Sequence, residues 1–231
     1  MQPRLHHPWP EDEAAALALQ RQLAGQVERH DRLDDIRLVA GLDVAYDEHS
    51  DRLVAAAVVL DAHTLVVVEQ AVAVDVARFP YIPGLFSFRE LPPLVQALGR
   101  LSLRPDLIVC DGQGIAHPRR FGLACHVGLL FDVPSIGCGK TRLLGQHDQA
   151  GPERGDSTPL RDGDDIIGSA LRTQRGIKPV YVSTGHRIAL PTACHWITRL
   201  CSKYRLPETT RMADQLVRRE MAAGLGGRKE D

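Results

Sequence analysis

Hydrophobic positions alternate with polar or small ones in three successive runs, "IRLVAGLDVAYD", "DRLVAAAVVLDA" and "TLVVVEQAVAVDV", which lie within residues 36–76. A period of two predicts strands, and the short polar segments between the runs predict an antiparallel meander. The second run is apolar at nearly every position, which predicts a strand covered on both faces. Upstream, residues 10–29 begin with Pro10 and a group of acids and continue with Ala, Leu and Val at helical spacing, the pattern of an amphipathic helix. Downstream, the pattern predicts a helix over Phe86–Arg100, a short buried strand in "DLIVCDG", a helix near Arg120–Phe131 and a strand around "VPSIGCGK". A polar stretch from Gly145 to Gly163 reads as a loop. The strand pair "DIIGSALRT" and "KPVYVSTG" follows, then helices near Pro191–Tyr204 and Glu208–Ala223. A meander followed by strand–helix alternation predicts an α/β protein with a mixed sheet and helices packed on it. One domain over 1–223 is expected, with 224–231 a disordered tail.

Composition narrows the class without naming a function. The 231 residues are 44% hydrophobic and 25% charged, with a net charge of −1, so any nucleic-acid surface must be a local patch. Five cysteines without C-x-x-C spacing argue for buried, reduced thiols rather than a disulfide frame or a zinc site. Glu11, Asp12 and Glu13 stand where a signal peptide needs an apolar run, and no stretch of about 18 apolar residues exists. A cytoplasmic protein without a membrane span is expected.

Candidate chemistry lies in the interruptions of the pattern. Alternation puts Asp43 on one strand face with Val39, Gly41 and Ala45, and a carboxylate in such a row calls for a cation, a metal or a donor network. Asp111 is delivered to a strand's carboxyl end and followed by Gly112 and Gly114, where open α/β sheets bind ligands. Each also has a plain structural reading as a turn-capping acid. Glu90 stands early in a helix, where the macrodipole suits it. Asp214 stands among arginines on a late helix, where a solvated ion pair is the simple account. Together the four make an oxygen-rich set suited to magnesium or manganese. His117, Arg119 and Arg120 follow Asp111 closely, and Lys140 and Arg142 lie in "CGKTRL", a supply of donors for phosphate. His117 itself is open to three roles: metal ligand, proton donor or phosphate contact. Pro80 and Pro83 bracket Tyr81 and Ile82 in "ARFPYIPGLFSFRE", an aromatic, stiffened loop close to Glu90.

These stretches, "GLDVAY", "PYIPGLFSFRELPPL", "DLIVCDGQGIAHPRRFGLACHVG", "SIGCGKTRL", "VYVSTGHRIAL" and "YRLPETTRMAD", resemble the endonuclease V family in content and order from about residue 36 to 218. The resemblance implies a ribonuclease H-like fold, with an antiparallel meander followed by parallel strands and helices on both faces. It implies a magnesium-dependent repair endonuclease, with manganese as a substitute, acting on DNA that contains deoxyinosine. Such an enzyme cuts the second phosphodiester bond 3′ to the lesion and leaves 3′-hydroxyl and 5′-phosphate ends. Residue by residue, it implies metal-binding carboxylates at Asp43, Glu90 and Asp111, with Asp214 near them, and Lys140 beside the scissile phosphate. It implies a strand-separating wedge at Pro80, Tyr81, Ile82 and Pro83, and a lesion pocket around Gly84, Leu85, Gly112, Ile115 and His117. Arg119, Arg120 and Arg142 are expected on phosphates, and the protein is expected to be a monomer. Two departures stand out: Cys125 where serine is common, and Pro191 interrupting a helix start. An endoribonuclease of the same family is the alternative within the enzyme class, and a segment ending "RLPETTR" without a basic extension favours DNA. A silent nucleic-acid-binding module would have lost one of the acids, and all four are present.

Overall fold

The computed structural model describes residues 1–47 and 49–226. The meander forms as the alternation predicts: β1 (Leu38–Tyr46), β2 (Arg52–Asp61) and β3 (Val67–Val76) pair antiparallel in sequence order. β4 (Leu107–Cys110) then adds parallel to β1, and β5 (Ser135–Gly139) adds parallel to β4. β8 (Val180–His186) runs antiparallel to β5 and is followed outward by β7 (Asp165–Leu171) and β6 (Ser157–Asp162). β6 lies inside the segment read as a loop. It is an edge strand of mixed polarity, exposed along most of its length and carrying Pro159, so it lacks a buried period-two signal.

Helices cover both faces, each because alternate strand residues leave an apolar surface there. On one face, Leu91, Leu94 and Leu98 of α2 (Phe86–Gly99) and Val127 and Phe131 of α3 (Leu123–Phe131) pack on Ala40, Leu42, Ile108 and Cys110. On the other, Ile197 and Leu200 of α4 (Leu190–Leu200) pack on Val39, Leu107 and Val109. There too, Ala213, Leu216, Val217 and Met221 of α5 (Glu208–Gly226) pack on Val54, Ala56, Val58 and Leu60. The near-continuous burial of β2 follows from this double covering. α1 (Glu13–Ala24) starts later than the pattern suggested, at the Asp12 cap, whose carboxylate accepts from the Ala15 amide.

Two further differences are local. Pro191 does not interrupt α4 but sits in its first turn, where the missing N–H costs nothing. α5 continues through Gly226, past the expected end at Ala223, with Gly224 lying against the Arg52 guanidinium. The rest of the expected tail, 227–231, lies outside the described residues. All five cysteines are free and four are buried, Cys194 being partly accessible. Cys125 makes weak thiol contacts to the carbonyls of Arg120 and Thr184. Among the described residues no helix is long and apolar enough to cross a membrane.

Candidate active site

Four distant segments meet at one end of the central strands. Asp43 is on the α5 side of β1, and a glycine at position 41 makes that approach possible. A Cβ there would stand 2.1 Å from the Thr209 carbonyl oxygen, so only Gly41 lets the start of α5 lie on the strand. Asp214 then comes within electrostatic range of Asp43. Asp111 follows the last residue of β4 and is ion-paired with Lys140, which follows β5. Glu90 reaches the site from α2, and the Tyr46 hydroxyl donates to its Oε1 at 2.6 Å.

The charges are unbalanced. Burial, then repulsion by Asp111, raises the Asp43 carboxyl to about 7, against a downward pull from Lys140 and with a lesser upward push from Asp214. Burial likewise raises Glu90 to about 7, opposed by the Tyr46 hydrogen bond and reinforced by Asp111. Burial works to lower the Lys140 ammonium, but Asp111, Asp43 and Asp214 together raise it overall. One ammonium thus faces several carboxylates, and this donor set of hard oxygens has the chemistry of a magnesium or manganese site. Among the described residues no three His, Cys, Asp or Glu side chains converge closely enough to grip an ion by themselves. Asp214 is ion-paired with Arg218 at 3.0 Å.

Beside the carboxylates lies a cavity of about 370 Å³, whose lining includes Gln20, Gly84, Glu90, Asp111, Gly112, His117, Lys140 and Arg142. Its size suits a small aromatic ligand. Gly84, Gly112 and His117, three of the residues expected around a lesion pocket, line this cavity. Leu85 and Ile115 do not line it. Leu85 packs with Ala16, Phe79 and Phe88, and Ile115 with Leu23, Phe121 and Cys125, because α1 supplies an apolar surface that both can bury against.

The expected wedge protrudes. Tyr81 is 67% exposed and its ring rests on Phe86, with centroids 4.8 Å apart. Pro80 and Pro83 are exposed beside it, and Ile82 is half-buried against the Phe79–Phe88 cluster. The basic residues divide by role. Arg142 is exposed at the cavity rim and makes no hydrogen bond or ion pair among the described residues. Arg120, expected on phosphate, is instead bonded to Asp165 at 2.9 Å and Asp162 at 2.8 Å, so two carboxylates already satisfy its guanidinium. Arg119 is half-buried, its guanidinium turned inward onto the Gly84 carbonyl at 2.8 Å and the Gln20 side chain.

His117 also turns inward. Its Nε2–H donates to the Gly84 carbonyl at 2.9 Å, and its Nδ1 accepts from the Arg119 amide at 3.2 Å. Both ring nitrogens are engaged, which removes the metal-ligand reading and fixes a neutral tautomer. Burial, then the Arg119 charge, lowers it to about 4.

Three contributors escaped the sequence reading: Tyr46, Gln20 and Arg89. Tyr46 follows Asp43 by three positions in "GLDVAY", but only the packing of α2 brings Glu90 to it. Gln20 carried a readable sign, a polar residue on the apolar stripe of α1 between Ala16 and Leu23. Arg89 donates to the Phe79 carbonyl at 2.7 Å, a contact across the loop that no periodicity announces.

Residues 21–215 match the family model for endonuclease V. The endonuclease V of Roseiflexus castenholzii is 50% identical over 216 residues, covering 94% of this chain and 96% of that protein. The crystal structure of the Streptomyces avermitilis endonuclease V superposes with a TM-score of 0.91 at 48% identity, covering 97% of this chain and 100% of the other. The Ciona intestinalis endonuclease V, crystallised with a 24-mer DNA containing an inosine followed by a ribo-adenosine, superposes at 0.81 with 26% identity, over 91% and 98% of the two chains. With a sheet, a carboxylate–lysine cluster and a cavity in this arrangement, the chain belongs to the endonuclease V family, hydrolases that cut phosphodiester bonds within a nucleic-acid strand.

Proposed function

We propose that this endonuclease acts on DNA containing deoxyinosine, turns the hypoxanthine base out of the duplex into the cavity, and hydrolyses the second phosphodiester bond on its 3′ side. The products are 3′-hydroxyl and 5′-phosphate ends. One observation carries the reading: a single cavity is lined both by Gly84, which follows the Pro80–Pro83 loop, and by Asp111 and Lys140. Base recognition and phosphodiester chemistry then share a wall. The inosine-containing DNA held by the Ciona relative supports the choice of lesion.

Extrusion costs a few kcal/mol, and less where pairing is already weak. Tyr81, exposed on a loop stiffened by two prolines, would enter the stack as the base leaves. Backbone amides near Gly112 would donate to the hypoxanthine carbonyl oxygen. Adenine presents an amine there, so donor would face donor and the amides would go unpaired.

Asp43, Glu90 and Asp111 would hold magnesium, with Asp214 beside them and manganese able to substitute. When bound, the ion lowers the pKa of a water and neutralises charge developing on the phosphate. Tyr46 holds one oxygen of Glu90 by its hydroxyl hydrogen bond, which would orient the carboxylate for the ion. Lys140 supplies a fixed positive charge for the phosphate once its pairing with Asp111 is relaxed. Protons and cation compete for Asp43 and Glu90, since both carboxyls hold a proton up to about pH 7.

The test is cleavage of matched DNA and RNA oligonucleotides carrying one inosine, with and without magnesium, by the native protein and by Asp111→Ala. The expected result is a magnesium-dependent nick in DNA that Asp111→Ala abolishes. Cutting of neither substrate would sink the proposal, and cutting confined to RNA would move the substrate assignment to RNA.

A further inference from the structure

Gln20 is 1% exposed on the buried stripe of α1, beside the cavity, and makes two donations and one acceptance. Its amide donates to the Gly84 carbonyl at 3.0 Å and to the Phe121 carbonyl at 3.1 Å. Its carbonyl accepts from Arg119 Nε. The Gly84 oxygen also receives His117 Nε2 at 2.9 Å and Arg119 Nη2 at 2.8 Å, so three donors meet an oxygen with two lone pairs. This crowding needs the residue present. Gly84 has φ of +80°, and a Cβ there would stand 2.7 Å from the Arg119 guanidinium.

The same loop is held at its other end, where Arg89 donates to the Phe79 carbonyl. The tip Pro80–Pro83 is therefore tied down on each side through a backbone oxygen while its own side chains stay mostly exposed. Gln20 bonds both to this loop and to the Phe121 backbone, and it joins the His117 and Arg119 side chains on the Gly84 oxygen from a separate element, α1.

We propose that Gln20 is a positioning residue for lesion recognition. It locks the end of the wedge loop to the His117–Phe121 loop, so the wedge and the cavity keep one fixed spacing before DNA arrives. The inference rests on the base-pocket reading above. A preset spacing spares the ordering cost that a loose loop would meet on binding, and that saving falls on the lesion complex rather than on general phosphate contacts.

Two readouts separate the inference from the reading beneath it. Hydrogen exchange in the free protein should be about tenfold faster at the amides of Tyr81–Ser87 in Gln20→Leu, with β4 and β5 unchanged. The ratio of affinities for inosine-containing and undamaged duplex should fall about tenfold, the loss of roughly one buried hydrogen bond. Gln20→Glu provides a second variant should the leucine form not fold, because it keeps the acceptor for Arg119 and loses both donations. Native exchange in the loop, or a native affinity ratio, in either folded variant would overturn the proposal. A native protein that shows no preference for inosine would refute the base-pocket reading, while the exchange result would still judge the clamp.

Discussion

Replacing Asp43 with asparagine should stabilise the metal-free protein above neutral pH. The folded carboxyl holds its proton to about 7, whereas the unfolded chain releases it near 3.8. Between those values the folded state binds more protons than the unfolded state, so this group's contribution is complete at low pH and lost as pH rises to about 7. A difference of about 3 units corresponds to about 4 kcal/mol. Most of it is burial and part is repulsion by Asp111 and Asp214, so a gain of about 2 to 4 kcal/mol is expected for Asp43→Asn near pH 8. Near pH 4 the two proteins should match, because a protonated carboxyl and an amide differ little in charge. His117 and His186, both lowered by burial, give the native protein an opposite slope, so the difference between variant and native protein is the quantity to measure. Urea unfolding in EDTA at several pH values supplies it. Magnesium should then narrow the gap, stabilising the native protein by about 2.7 kcal/mol at a hundredfold excess over Kd and the variant by less. A variant no more stable than the native protein near pH 8 without metal would refute the reasoning.

Other outcomes follow from the same geometry. Tyr81→Ala should change stability by under about 0.5 kcal/mol, since the ring is largely exposed. It should weaken binding to inosine-containing duplex by about 1 to 3 kcal/mol in a fluorescence titration, the range of base stacking on an aromatic ring. Gly112→Val should fold normally, because a Cβ there meets nothing nearer than Leu123 at 3.9 Å, yet it should fill the cavity floor and abolish lesion preference in the same titration. His117 should remain neutral down to about pH 5, checked by its imidazole NMR shifts, and a midpoint at the ordinary 6.5 would contradict its burial beside the Arg119 charge.

Much of this protein was legible before folding was considered, and the particular elements show why. The meander is written locally: period two in residues 36–76 reports which residues of β1, β2 and β3 share a face, and it placed Asp43 on one face with Val39, Gly41 and Ala45, while only the fold decided that α5 lies over that face. Asp111 was visible at a strand's end, and the Pro80–Pro83 loop was visible as an oddity of composition. β6 was not legible, because an edge strand with one short buried side has no strong pattern to read. Nor could the sequence divide the three arginines. Arg142 remains free at the rim, whereas Arg120 is occupied by carboxylates from the β6–β7 hairpin, 42 and 45 residues away.

The sequence by itself determined the kinds of elements, the family resemblance and the residue types available for chemistry. The tertiary structure decided which of those residues meet. Glu90 and Tyr46 are 44 positions apart, Gln20 and Gly84 are 64 apart, and Gln20 and Phe121 are 101 apart. Periodicity is a property of neighbouring residues and reports only which side of an element is buried. Convergence depends on how helices from opposite faces reach the same end of the sheet, and on glycines such as Gly41 and Gly84 that let backbones or side chains approach where a Cβ would stand in the way.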